Sequence, residues 1–87
     1  MEKEKAAEVF GLFLANKEKQ IGQQLSEIAS AERVSDGWAF YYQARAYVDT
    51  GDFNEMLIGH GPVVVRDDGC LIEGGSLDHH PEALLNR

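Results

Sequence analysis

A chain of 87 residues supports one domain, residues 1–87, which buries roughly 60–65% of its unfolded surface. Fifteen acidic residues against eight basic ones give a net charge of −7, which repels phosphate backbones and anionic lipid and so excludes nucleic acid and membrane surfaces as partners. The same charge attracts a basic protein and speeds that encounter.

At 44% hydrophobic and 26% charged residues, the composition is globular rather than disordered. Cys70 is the one cysteine, so no internal disulfide forms, as suits a reducing compartment. Met1-Glu2-Lys3-Glu4-Lys5 does not read as a signal peptide. The apolar run Val9–Ala15 is broken by Gly11 and is about half a membrane span. A cytoplasmic location is expected.

Residues 2 to about 20 read as a helix. Ala6, Val9, Phe10, Phe13 and Lys17 form a stripe at i, i+3, i+4, i+7 and i+11. Glu2, Glu4 and Glu8 lie early and Lys17 and Lys19 late, matching the helix dipole. Leu12 and Leu14 broaden the apolar face, so a well-covered helix is expected, ended by Gly22.

Gln23–Val34 supports two readings. Leu25, Ile28 and Ala29 have helical spacing, whereas a strand would place Ile28 and Val34 on one face. The next element favours a strand. Ser35-Asp36-Gly37 is a tight-turn signal, in which Asp-Gly tolerates positive φ. After it, Trp38-Ala39-Phe40-Tyr41-Tyr42 reads as a strand with Trp38, Phe40 and Tyr42 on one face and Tyr41 on the other.

Ala44–Asp49 leads into the loop Thr50-Gly51-Asp52, with Asp52 capping a short turn through Glu55, Met56 and Leu57. Gly59-His60-Gly61-Pro62 reads as a turn that sets the entry of a strand, Val63–Val65. Asp67-Asp68-Gly69 is a second hairpin turn, returning through Cys70-Leu71-Ile72 to Gly74-Gly75. A short helix carrying Leu84 and Leu85 is expected from Pro81. The result is an α+β fold, a long helix across a four-stranded antiparallel sheet, in the order helix, two strands, loop, two strands, short helix.

No chemistry emerges. His79 and His80 diverge as neighbours, no metal-ligand spacing includes His60, and all three read as exposed loop residues. Cys70 falls where a strand residue packs, and neither it nor Ser76 has an evident base. The Gly59–Pro62 loop lacks the helix and lysine of a phosphate loop. Neither catalysis nor a cofactor nor a metal is expected. Tyr41 and Tyr47, left closer to solvent, with Asp49, Asp52 and Glu55, suggest an acidic patch with aromatic anchors for a basic protein. An uncovered sheet edge would also permit a homodimer.

Trp38-Ala39-Phe40-Tyr41-Tyr42, Ala44-Arg45, Thr50-Gly51-Asp52 and Gly59-His60-Gly61-Pro62, followed by the Val63–Ile72 hairpin, Gly75-Ser76 and Pro81-Glu82, resemble the immunity protein 35 family, also called the YrhB domain family. The resemblance covers about residues 26–85. His60 departs from it, since the family often has Asn there. It implies a small bacterial cytoplasmic protein that neutralises a cognate toxin by binding, as in polymorphic-toxin and toxin–antitoxin systems. Some relatives are described as small heat-stable chaperones, which is the alternative it leaves open. In either case the resemblance implies a structural role for Trp38, Phe40, Gly51, Gly59, Gly61 and Pro62.

Overall fold

The computed structural model describes residues 1–28, 30–57 and 60–75. The expected helix is α1, Lys3–Ile21, and it ends where Gly22 takes the left-handed conformation, φ 70°. The Gly22 amide donates to the Glu18 carbonyl at 2.9 Å, and the Glu18 carboxylate accepts from the Leu25 amide at 2.7 Å. No helix among the described residues is long and apolar enough to cross a membrane.

The two central strands of the expected hairpin are each interrupted. They form β1 (Leu25–Glu27), β2 (Glu32–Val34), β3 (Gly37–Phe40) and β4 (Tyr42–Ala44). β1 pairs with β4 as a separate two-stranded sheet, and β2 pairs with β3. The register explains the break. Glu27 stands opposite Tyr42 and Glu32 opposite Ala39, so residues 28–31 on one side span only Phe40 and Tyr41 on the other. The pairing register thus shifts by two residues between the two strand pairs.

The larger sheet has the order β2-β3-β5-β6, all antiparallel, with β5 at His60–Arg66 and β6 at Leu71–Gly75. The α+β class and the four-stranded antiparallel sheet under a helix are therefore present, with a small second sheet added. A short helix, α2 (Arg45–Thr50), and a 3₁₀ turn, Phe53–Glu55, fill the connection that the sequence suggested was a loop. The expected helix from Pro81 lies outside the described residues.

Side chains alternate as a pleat requires. Phe40, Tyr42, Val63 and Val65 face α1 and bury with Ala6, Phe10 and Leu25, and Trp38 packs against them. Ala39, Val64 and Val34 form a second cluster, joined by half-buried Tyr41 and Ile72. Phe10 stacks on Phe40 at 4.5 Å between ring centroids, and Phe13 meets Tyr42 edge-on at 5.9 Å. The helix is not covered all round. Leu12 is 73% exposed, because two helical steps turn it about 200° from Phe10.

Several local expectations change. Gly37 does not have a positive φ; an added Cβ there would lie 2.5 Å from the Val65 carbonyl oxygen, so the glycine allows close approach of β5. His60-Gly61-Pro62 is part of β5 rather than a turn before it, with a register irregularity between His60 and Val63. Pro62 is tolerated there because the ladder is already interrupted. Gly59 lies outside the described residues. Cys70 is exposed at the hairpin end, because β6 begins at Leu71.

The turn Asp67-Asp68-Gly69 forms as expected, with Gly69 at φ 93° and the Asp68 carboxylate accepting from the Cys70 amide. Asp67 ties it to the first hairpin. Its carboxylate accepts from both terminal nitrogens of Arg33, at 2.8 and 2.9 Å, and its amide donates to the Asp36 carbonyl. The Arg33 guanidinium also lies over the Trp38 ring, 5.5 Å from its centroid.

Two substitutions test the glycines. Gly11→Ala adds a Cβ into open space on a helix and is expected to raise unfolding free energy by about 0.5–1 kcal/mol. Gly37→Ala forces β3 from β5 and is expected to lower it by about 1–3 kcal/mol. Urea denaturation measures both, and equal effects would contradict the packing. The Arg33 guanidinium, then the Met1 amino group, hold the Asp67 carboxyl well below the usual carboxylate range. A depressed carboxylate stabilises above its unfolded pKa of about 3.9 and loses that contribution as pH falls. Asp67→Asn should therefore lower the urea midpoint at pH 7, with the gap narrowing below about pH 4. A pH-independent gap would contradict the pairing.

Candidate functional site

The connection between β4 and β5 is ordered by its own polar groups. The Gln43 side-chain oxygen accepts from the Ala44 amide at 2.8 Å and the Leu57 amide at 2.6 Å, and its nitrogen donates to the Leu57 carbonyl at 3.2 Å. One amide group thus closes both ends of the excursion. The Arg45 amide donates to the Gln24 carbonyl at 2.9 Å, tying the start of α2 to the residue before β1.

Within the excursion, Gly51 at φ 71° ends α2, and its amide donates to the Tyr47 carbonyl at 2.7 Å. The Thr50 hydroxyl donates to the Ala46 carbonyl and accepts from the Asp52 amide. Asp52 then caps the 3₁₀ turn, accepting from the Asn54 amide at 3.0 Å, as its position after Gly51 leads one to expect. No residue of α2 or of the turn is buried. The segment is fixed but adds little to the core.

At about 100° per residue, α2 directs Arg45, Ala46 and Asp49 to one flank and Tyr47, Val48 and Gly51 to the opposite one. On the first flank, Arg45, Asp49 and Glu55 line a cleft of about 360 Å³ with Gln23 and Gln24. Arg45 lies 3.7 Å from Asp49, both well exposed. On the second, Ile28, Tyr47, Val48 and Met56 line a groove of about 380 Å³. Tyr47 also meets the Phe53 ring at 6.0 Å, and Phe53 is 74% exposed.

Of the five residues expected to form one patch, four therefore lie on the excursion, with Asp49 and Glu55 on one flank and Tyr47 on the other. Tyr41 stands apart. It packs with Val34, Ala39 and Val64 on the sheet face away from α1, and burial, followed by the nearby Glu32 charge, pushes its phenol pKa up. Gln43 and α2 were missed by sequence reasoning. Gln43 looks like a solvent-facing strand position, and six residues are too few for a helical period. The Arg45/Asp49 spacing and the glycine at 51 were the available signals.

His60 is not an exposed loop histidine. It lies in β5 with Nε2 2.8 Å from the Tyr42 carbonyl oxygen and its ring 4.6 Å from the Tyr42 ring. Its buried Nδ1 meets no hydrogen-bond partner among the described residues. Beside it Lys17 donates to Glu73 at 2.9 Å, and that hydrogen bond raises the Lys17 pKa. Among the described residues, no three His, Cys, Asp or Glu side chains converge as a metal site. Ser76, His79 and His80 lie outside the described residues.

A family model described as immunity protein 35 matches residues 4–80 of the chain. No curated protein and no solved structure matches it.

If the Gln43 amide closes the excursion, Gln43→Ala leaves part-buried backbone groups of Ala44 and Leu57 without it. A loss of about 1–3 kcal/mol in unfolding free energy is expected, with faster hydrogen exchange at the Leu57 amide. Unchanged exchange at Leu57 would contradict the clamp.

Proposed function

The chain belongs to the immunity protein 35 family, and from that premise we propose that it neutralises a cognate protein toxin by covering the toxin's surface, stoichiometrically and without turnover. The observation that carries this reading is the excursion from Gln43 to Leu57. It is held by six side-chain hydrogen bonds and by backbone bonds that include Arg45 to Gln24, yet α2 and its turn bury no residue. An ordered, unburied segment presents side chains at low ordering cost, which favours association.

Tyr47, Asp49, Asp52 and Glu55 are the contact residues in this reading, with Tyr41 retained by the sheet. Asp49, Asp52 and Glu55 against Arg45 make the excursion acidic, and that charge suits a basic toxin surface. Both proteins meet in the cytoplasm. No cofactor is needed for occlusion.

The exposed Leu12 and Phe53 favour a second reading, a holdase-type chaperone, which requires accessible apolar surface. The two differ in their partners. A holdase suppresses aggregation of unrelated heated clients, whereas an immunity protein acts on one toxin.

Titration of toxin activity with the purified chain tests the proposal. Activity should fall linearly and vanish near one equivalent, with no effect on the aggregation of an unrelated client. Inactivation by far less than one equivalent would indicate turnover, and protection of unrelated clients alone would favour the holdase.

A further inference from the structure

Resting on the immunity reading, we infer that α2 is a ridge gripped on both flanks, with an apolar toxin side chain in the Ile28/Tyr47/Val48/Met56 groove and a basic one in the Asp49/Glu55 cleft. The occupant is thus a basic protein surface that offers both side chains roughly 10 Å apart, the width of a helix. The two cavities are similar in size, about 380 and 360 Å³, and lie on opposite flanks of the same short helix.

Each cleft has its own chemistry. In the groove, Ile28 and Val48 remain 52% and 48% exposed although the surrounding backbone is fixed. An entering apolar group gains their burial without reordering the segment. In the cleft, Glu55 makes no ion pair among the described residues, and the 3.7 Å contact of Asp49 with Arg45 is long and well exposed. Such a pair is weak, so an incoming Lys or Arg can engage Asp49 and Glu55 with little loss. The chain's net charge of −7 steers that basic surface towards the ridge.

The test uses as probe the protein encoded by the gene adjoining this chain's own, with binding measured by calorimetry at two salt concentrations. Val48→Ser should weaken affinity by about tenfold or more at both salts. Asp49→Lys with Glu55→Lys should weaken it by about tenfold or more and flatten its salt dependence. Leu12→Ser, on the far side of α1, should change nothing. Circular dichroism checks that each exposed substitution leaves the fold intact.

Wild-type binding with both ridge variants within about twofold of it overturns this inference and leaves the immunity reading standing. Loss with the charge variant alone also overturns it, in favour of a purely electrostatic contact, as does an equal loss with Leu12→Ser. No binding or protection by the wild type overturns both readings together.

Discussion

The aromatic contact between α1 and the two sheets holds the molecule in its observed shape. Phe10 stacks on Phe40, which belongs to the larger sheet, while Phe13 and Phe10 both meet Tyr42, which belongs to the smaller one. The strand pairing passes from one sheet to the other between Phe40 and Tyr42, so neither sheet alone fixes the orientation of the other. The helix does so by burying both rings against one set of side chains. Such ring pairs contribute about 0.5–1.5 kcal/mol each beyond the area they bury.

From that change of partner follows the position of the excursion. β4 follows the register change at Phe40 and Tyr41, and α2 begins at the residue after β4. The Arg45 bond to Gln24 and the Gln43 clamp to Leu57 then fix α2 beside β1. The core therefore places α2, and local polar groups keep it rigid. This division separates the residues that hold the fold from those that α2 exposes.

Much of this was legible because local signals and global fold agree. Ala6, Phe10 and Phe13 marked the buried face of α1, Gly22 its end, and Asp67-Asp68-Gly69 the last hairpin. The break in the first hairpin was not legible. Apolar alternation continues from Trp38 through Tyr42, and only the register reveals that Phe40 and Tyr42 pair with different strands. Gly37 was correctly expected at the turn for the wrong physical reason, since a tertiary contact with β5 demands it rather than a positive φ. Cys70 was expected to pack, but the turn ends one residue later than the alternation implies.

The residues of the proposed surface were readable as a cluster in sequence, but the separation of Tyr47 from Asp49 and Glu55 by α2 was not. Asp49 and Tyr47 are two residues apart, and only a helix turns that spacing into opposite flanks. A patch thus becomes a ridge. The measurement that tests this most directly is an amide chemical-shift map of the labelled chain with one equivalent of toxin. The account predicts that the changes concentrate in residues 43–57 and in the adjoining Gln23–Ile28 segment. Changes confined to the outer face of α1 or to the Val34/Ala39/Val64 face, with α2 unmoved, would contradict it.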